Sequence, residues 1–192
     1  LHPESPYCAT VSLPKLYKDV VIVGAGAAGM MCAIEAGKRN RSVILIDHAS
    51  KLAEKIRISG GGRCNFTNRY TTAENFISGN PHFCRSALAR FTPQDFIALI
   101  EKHDIRYHEK KLGQLFCDGR SQQIIDMLHN ECDAVGIEWQ MSSTIKTVGN
   151  LSSDRRKPGT GSNFRVITER NTIETKSLVI ATGGLSIPQI GA

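Results

Sequence analysis

A glycine-rich turn between two apolar runs is the sequence feature that most restricts the fold of this chain. The turn reads Gly-Ala-Gly-Ala-Ala-Gly, follows the apolar run at residues 19–23 and opens a segment of small residues. A second apolar run, residues 42–46, ends at Asp47. Strand, glycine turn, helix, strand and acid in this order are typical of a dinucleotide-binding βαβ unit. The alternative is a glycine turn that only packs such a unit.

The three glycines of the turn are expected to have separate roles. Gly24 permits the tight turn, Gly26 lets the backbone approach a pyrophosphate, and Gly29 lets helix and strand pack closely. The helix N-terminus offers N–H groups and partial positive charge to phosphates. Asp47 follows Gly24 at nearly the spacing of an acid that binds ribose hydroxyls. The predicted cofactor contacts of the turn are Gly24, Ala25, Gly26, Ala27, Ala28 and Gly29.

Composition limits the classes of partner. The formal net charge is +6, but the basic residues are scattered along the chain without a stripe of interleaved aromatics, which disfavours a nucleic-acid partner. The longest uncharged stretch, residues 20–34, is too short and glycine-rich for a membrane span. The six cysteines form no C-x-x-C pair, which favours reduced thiols in a cytoplasmic protein. The histidines have no metal-ligand spacing, so no metal site is predicted.

The pattern along the chain predicts an irregular arm at residues 1–18 and one Rossmann-like α/β domain at 19–192, with a small β-meander or hairpin layer. Residues 48–72 have little regular pattern, and such long loops are commonly functional. The other predicted elements are helices at 81–90, from Thr92 onward and at 121–135, a hairpin at 106–116 around Gly113, strands at 137–140, 144–148, 164–168, 172–174 and 177–181, and a polar loop at 150–163.

Two further glycine clusters carry candidate binding residues. Three consecutive glycines at 60–62 can turn N–H groups toward an anion or a flat polar ring, and Arg63 adds a positive fork. A flexible loop is the alternative. The third cluster, residues 181–184, ends a strand that lies beside the first one if the sheet is parallel. Three glycine turns would then converge on one crevice, as a cofactor longer than NAD, such as FAD, requires.

Three motifs together resemble the YhiN/BaiN-like bacterial flavoproteins, which are NAD(P)/FAD-dependent oxidoreductases. They are the Gly-Ala-Gly-x-Ala-Gly start, the Lys-Ile-x-x-Ser-Gly-Gly-Gly-Arg-Cys-Asn-Phe-Thr-Asn loop and the Ala-Thr-Gly-Gly-Leu-Ser-x-Pro end. The resemblance covers about residues 18–192 and implies a two-dinucleotide-binding flavoprotein. Ala53 stands where the family has Gly, and Glu54 where it has a cation. The residues that match the family's FAD contacts outside the first turn are Asp47, Lys55, Gly61, Gly62, Arg63, Cys64, Asn65, Ile145, Thr182, Gly183 and Gly184.

Two neighbours of these positions remain open in function. His48 follows Asp47 and either contacts adenosine or faces solvent. Cys64 lies beside Arg63, and a nearby cation lowers a thiol pKa, but a packing role is favoured over thiol chemistry. No catalytic residue is assigned.

The resemblance implies an FAD-dependent oxidoreductase acting on a small molecule, with hydride transfer through flavin N5 and NAD(P)H as reductant. The alternatives are a nucleotide-binding module without turnover and, prompted by net charge alone, a flavoprotein that acts on RNA. Family members continue beyond the third glycine turn into an inserted domain and a final segment that returns to the flavin. The chain begins with Leu and is therefore expected to be a partial one. Because it stops at Ala192, before these segments, weak or absent FAD retention is expected for the chain on its own.

Overall fold

The structure, a computed structural model, describes residues 13–151 and 161–184. Residues 1–12 of the arm expected at 1–18, most of the polar loop at 150–163 and the chain end at 185–192 lie outside this part. The helices are α1 (Ala27–Gly37), α2 (Glu54–Ile58), α3 (Arg85–Arg90), α4 (Pro93–Lys102) and α5 (Gln122–Ala134). The strands are β1 (Lys15–Val23), β2 (Val43–Ile46), β3 (Asn65–Asn68), β4 (Tyr107–Glu109), β5 (Gln114–Cys117), β6 (Glu138–Gln140), β7 (Ile145–Asn150), β8 (Phe164–Thr168) and β9 (Thr172–Ile180).

The main sheet has six strands in the order β6-β2-β1-β9-β8-β7. The first four are parallel, and β8 and β7 extend the sheet in antiparallel orientation. Val23 pairs with Ile46 on one side and with Ile180 on the other, so these strands end side by side. Ligands of open α/β sheets bind at this carboxyl edge. The predicted α/β class with a Rossmann-like parallel sheet is confirmed.

Apolar side chains cover both faces of the sheet centre. Ile22 and Leu45 pack with α1 and α5 on one face, whereas Val21, Ile44 and Ile46 pack against β8 and β9 on the other. All five are fully buried. A strand that is buried on both faces needs a continuous apolar run, because neither face can carry polar side chains. The apolar runs in the sequence therefore predicted β1 and β2. Burial of each such side chain stabilises the fold by about 1.5–3 kcal/mol.

A second, three-stranded antiparallel sheet has the order β3-β5-β4. Its β4–β5 pair is the hairpin predicted around Gly113. The ring of Phe66 on β3 packs 6.0 Å from Phe96 of α4 and 5.5 Å from Tyr107 of β4, measured between ring centroids. Helix α4, which was predicted from Thr92 onward, begins at a capping box in which Thr92 and Asp95 exchange hydrogen bonds. The small sheet therefore packs on α4 through these rings, which join the same apolar cluster as α1 and α5.

Four predictions about the elements need correction. β1 begins at Lys15 rather than at residue 19, because Lys15–Lys18 pairs with the start of β9 while alternating between exposed and half-buried positions. The two strands predicted at 172–174 and 177–181 are one strand, β9, which pairs with β1 along its length. Helix α3 begins at Arg85 rather than at residue 81. The loop predicted at 48–72 contains α2, a 3-10 turn at Ser59–Gly62 and β3.

Candidate nucleotide-binding site

The glycine turn after β1 is pressed between the ends of β2 and β9. The N–H of Gly24 donates to the Ile46 carbonyl over 2.8 Å, and the N–H of Ala181 donates to the Val23 carbonyl over 2.7 Å. Gly24 has a φ of +109°, and a Cβ on it would lie 2.5 Å from the Ala181 carbonyl oxygen. Only glycine satisfies both the conformation and the contact. The first and third glycine clusters therefore meet at the carboxyl edge of the sheet.

Gly26 and Gly29 differ in what surrounds them. A Cβ on Gly29 would lie 1.8 Å from the Gly24 carbonyl oxygen, so the absent side chain lets α1 close on the turn. Gly26 precedes α1 and has no atom within 4 Å of where its Cβ would stand. The first N–H groups of a helix have no partner within the helix. The open side of Gly26 thus leaves room for an anion to reach them.

Asp47 connects the end of β2 to the glycine turn. Its Oδ2 accepts a hydrogen bond from the Ala25 N–H over 2.7 Å, and its Oδ1 accepts one from the Ala49 N–H over 2.8 Å. The side chain is 17% exposed, and Nδ1 of His48 lies 3.5 Å from Oδ1. Because a carboxylate accepts about four hydrogen bonds, Asp47 retains acceptor capacity toward the cavity that it lines.

A cavity of about 610 Å³ opens at this edge of the sheet. Ten of the residues predicted to contact a cofactor line it: Gly24, Gly26, Ala27, Ala28, Asp47, His48, Lys55, Ile145, Thr182 and Gly183. Ala25 and Gly29 are buried behind the turn. The carbonyl of Gly184 accepts a hydrogen bond from Nζ of Lys55, which links α2 to the third glycine cluster.

Ala53 adopts the backbone conformation for which glycine is favoured. Its φ of +53° and ψ of +46° are left-handed, and its N–H donates to the Ala25 carbonyl over 3.1 Å. A left-handed conformation costs an L-residue roughly 1–2 kcal/mol. The departure from glycine at this position is therefore accommodated with strain, and α2 stays attached to the first glycine turn. Glu54, the second departure, forms an ion pair with Arg57 at 3.6 Å.

The second glycine cluster forms a turn on the small sheet and on α5, and its residues do not line the cavity. The Gly62 carbonyl accepts from the Ser121 N–H over 2.7 Å, and the Arg63 carbonyl accepts from the Cys117 N–H over 3.1 Å. Gly61 and Gly62 have φ values of +68° and +85° with no atom within 4 Å of their missing side chains. Arg63 and Asn65 are exposed. Three glycine turns were predicted to converge on one crevice. The first and third turns line the same cavity, whereas the second turn does not line it.

Cys64 is a buried thiol rather than an exposed nucleophile. It is 4% exposed, and burial raises its pKa to about 12. Since the thiolate is the reactive form, thiol chemistry at Cys64 is disfavoured near neutral pH. The packing role favoured from the sequence is consistent with this burial. The other described cysteines, Cys32, Cys84, Cys117 and Cys132, are also free thiols.

A buried polar network holds one wall of the cavity, and no periodic pattern in the sequence indicates it. Nε2 of Gln140 donates to Ser143 Oγ over 2.8 Å, and Nδ2 of Asn171 donates to Gln140 Oε1 over 2.8 Å. The hydroxyl of Thr168 donates to Asn171 Oδ1 over 2.9 Å. The Ser143 N–H donates to the Asp47 carbonyl over 2.9 Å. The network therefore attaches the wall segment 143–145 to β2, β6 and the β8–β9 turn.

The described residues contain neither a metal-ligand cluster nor a helix able to span a membrane. In residues 13–151 and 161–184, no three His, Cys, Asp or Glu side chains gather as metal ligands. None of the helices in that part of the chain combines the length and the apolar character that crossing a bilayer requires.

The parallel sheet, the glycine turn and Asp47 define a dinucleotide-binding Rossmann domain. The chain belongs to the family described as "HI0933-like protein Rossmann domain", whose model matches residues 18–192. Its membership confirms the resemblance to YhiN/BaiN-like proteins.

Curated relatives are similar over most of the chain. It is 51% identical over 174 residues to a ribosomal RNA dihydrouridine synthase of Escherichia coli, covering 91% of this chain and 41% of the relative. It is 44% identical over 178 residues to the Haemophilus influenzae protein of the same name, covering 92% of this chain and 43% of the relative. The chain thus spans less than half the length of these relatives.

Among solved structures, the fold is similar to a 3-ketosteroid dehydrogenase from Rhodococcus jostii. The TM-score is 0.61 at 12% identity, covering 93% of this chain and 48% of the other. At this identity the likeness concerns the fold alone.

Proposed function

We propose that this chain is the FAD-binding part of a flavin-dependent oxidoreductase. The observation that carries the proposal is the cavity at the carboxyl edge of the parallel sheet, where the first glycine turn, Asp47 and the third glycine cluster meet. A volume of about 610 Å³ is within the range of small-molecule and cofactor sites. A glycine turn that served packing alone would not require the open side of Gly26.

The adenosine diphosphate half of FAD fits the residues of this cavity. The pyrophosphate would lie against Gly26 and the first turn of α1, where free N–H groups and the helix dipole favour negative charge. The Asp47 carboxylate would accept hydrogen bonds from ribose hydroxyls. Ile145, at the start of β7, would pair through its backbone with adenine. Lys55, held at the third glycine cluster, adds positive charge to the same cavity.

Bound FAD supplies hydride transfer at its isoalloxazine ring, and the protein supplies position and electrostatics. Gly61, Gly62 and Arg63 remain the predicted contacts of the ring end. The open side of both glycines leaves their backbone accessible, and the exposed Arg63 adds a cation at the same loop. Fixed donors of this kind stabilise negative charge that develops during a reaction. NAD(P)H is the proposed reductant.

The names of the relatives point to the substrate. Both are ribosomal RNA dihydrouridine synthases. Conversion of uridine to dihydrouridine adds two hydrogens, so the overall reaction needs one hydride and one proton. Bound FAD would supply the hydride chemistry for this reaction, and NAD(P)H would be the reductant. We infer that the full-length protein reduces uridine in ribosomal RNA. This replaces the small-molecule substrate expected from the sequence and adopts the RNA alternative that net charge had suggested.

The test combines cofactor and product analysis on the full-length protein. Purified protein is expected to show flavin absorbance and to release FAD on denaturation. Incubation with protein-free ribosomal RNA and NADH or NADPH is expected to yield dihydrouridine, measured by mass spectrometry of nucleosides. Asp47→Ala should weaken FAD binding by roughly 10- to 150-fold, because a hydrogen bond to a charged group contributes about 1.5–3 kcal/mol.

The control variant is Asp126→Ala, an exposed carboxylate on α5 that does not line the cavity. It should leave both readouts unchanged. Absence of flavin would refute the cofactor proposal. Bound flavin without formation of dihydrouridine would refute the substrate proposal. It would favour a nucleotide-binding module without turnover or an oxidoreductase with another substrate.

A further inference from the structure

The positive charge of the chain is concentrated on the small sheet. Segments 63–70 and 106–120, which hold its strands and loops, contain six Lys and Arg residues and two carboxylates. They therefore contribute +4 of the formal net charge of +6. The two segments are distant in sequence and form a basic cluster when β3 pairs with β5 and β5 pairs with β4. The cations of this cluster lie at the two ends of the small sheet, Arg69, Lys110 and Lys111 at one end and Arg63, Arg106 and Arg120 at the other.

Both carboxylates of the cluster already have partners. Glu109 pairs with Arg69 at 3.1 Å, and Asp118 pairs with His108 at 2.7 Å. Within the described part of the chain, Lys110 and Lys111 form no ion pair. Nζ of Lys110 instead lies 3.8 Å from the ring centroid of Phe116. These two cations are thus available to an external anion.

We call the outer end of the small sheet the basic tip. It is formed by Arg69, Tyr70, Lys110, Lys111 and Leu112. Hydrogen bonds hold its two strand connections together. The Arg69 N–H donates to the Gly113 carbonyl over 2.8 Å, and Nδ2 of Asn68 donates to the Leu112 carbonyl over 2.7 Å. A Cβ on Gly113 would lie 2.5 Å from the ring of Tyr70. The tip is therefore an ordered surface that carries two lysines and the Tyr70 ring, which lies against Gly113.

Large apolar groups remain exposed at this tip. Tyr70 is 64% exposed and Leu112 is 87% exposed. Leu112 has a φ of +58°, a conformation unfavourable to an L-residue. Cations next to an exposed aromatic ring are what a single-stranded nucleic acid requires, because phosphates pair with the cations and a base stacks on the ring.

The basic tip lies one strand length from the second glycine cluster. β3 begins directly after Arg63 and Cys64 and runs four residues to Asn68, next to the tip. At about 3.3 Å per residue this corresponds to roughly 13 Å. If a uridine base is reduced at the ring end of the cofactor, the neighbouring nucleotides of the same RNA strand can reach the basic tip.

We propose that the basic tip binds the single-stranded RNA next to the uridine that is reduced. The inference rests on the proposed function for its substrate, and it adds a binding surface outside the cofactor cavity. Lys110 and Lys111 contact phosphates, and Tyr70 stacks on a base.

The experiment measures RNA binding separately from catalysis. The probe is a fluorescein-labelled 12-nucleotide single-stranded RNA containing uridines, titrated with the full-length protein and followed by fluorescence anisotropy over a range of salt. Lys110→Gln/Lys111→Gln should weaken binding about tenfold or more at low salt and lower the slope of log K against log salt by about 1.4, because each single-strand phosphate contact contributes about 0.7. Tyr70→Leu, which keeps an apolar side chain on Gly113, should weaken binding at least about fivefold.

The matched control is Lys38→Gln/Arg39→Gln, two exposed cations beyond the end of α1. It removes the same charge and should leave the affinity within about twofold of the parent, since it touches no phosphate. Flavin absorbance and melting temperature must be retained in every variant, which separates this test from the cofactor proposal. Equal losses in the tip variant and the control, or no binding of the RNA by the parent protein, would overturn the inference even if the flavin is bound. The inference stands only if the tip variants lose affinity and the control does not.

Discussion

Adding the same methyl group at Gly26 and at Gly29, near the start of α1, should have different effects on the protein. Gly29→Ala places a Cβ 1.8 Å from the Gly24 carbonyl, which must move or distort the turn. We expect a loss of about 1–3 kcal/mol in the free energy of unfolding, as for other overpacked sites. Gly26→Ala meets no atom within 4 Å and has an N-cap φ of −87°, so the fold should be retained.

These two variants separate an effect on the stability of the fold from an effect on FAD binding. Urea denaturation should detect the loss only in Gly29→Ala, whereas Gly26→Ala should keep parental stability and lose FAD affinity, because its Cβ occupies the space in front of the helix N-terminus. Full flavin content in Gly26→Ala would argue against pyrophosphate binding at this turn.

Single residues whose environment is local were predictable from sequence. The conformation of Gly24 and the location of Asp47 at the end of β2 follow from spacing within one βαβ unit. The burial of Cys64 does not, because it depends on packing of the second glycine turn against β5, which is distant in sequence. The neighbouring Arg63 suggested a lowered thiol pKa, but burial has the larger effect and raises it.

At the scale of elements, the wall of the cavity depends on a buried polar network rather than on apolar packing. Gln140 and Asn171 are 6% and 9% exposed, and Ser143 and Thr168 are still more buried. Removing one member leaves its partners without hydrogen bonds, which costs about 1–3 kcal/mol per buried polar group. We expect Gln140→Leu to lower the free energy of unfolding by that amount and to weaken binding of the adenosine end of FAD.

Chemical denaturation and titration with ADP test this expectation. Gln123→Leu, at an exposed position of α5, is the control and should change neither quantity by a comparable amount. If Gln140→Leu binds ADP as the parent does, the network supports the fold but does not position the wall.

Elements with a plain periodic signal were predicted well, and elements built by long-range pairing were not. α4 and α5 carry their own caps or apolar faces, so the start of α4 and both bounds of α5 were predicted close to where they are observed. β9 was divided in two because the polar residues Thr175 and Lys176 interrupt its apolar pattern, although Thr175 and the neighbouring Glu174 are buried. Their burial depends on partners far away in sequence, since Glu174 pairs with Lys15 at 2.9 Å and with Arg165 at 2.8 Å.

For the whole molecule, we propose that the described cavity holds the adenosine half of the cofactor. The first and third glycine clusters line it, whereas the second cluster is held by the small sheet and α5 outside the lining. Sequence motifs could identify all three clusters, because each has a local glycine signature. Which clusters share a cavity depends on the packing of the small sheet against the Rossmann domain, for which the sequence carries no local signal.

If the cavity holds only the adenosine half of FAD, the 192-residue chain should respond differently to different fragments of FAD. ADP and FAD should raise its melting temperature, and FMN, which lacks the adenosine half, should not. A ligand at 100 times its Kd adds about 2.7 kcal/mol, and a chain of this size gains about 2–4 °C per kcal/mol, so the expected shift is roughly 5–11 °C. Gly26→Ala should abolish the shift with ADP, while Asp126→Ala should preserve it. A shift with FMN equal to that with ADP would mean that the ring end, rather than the adenosine end, occupies the cavity at the carboxyl edge of the sheet.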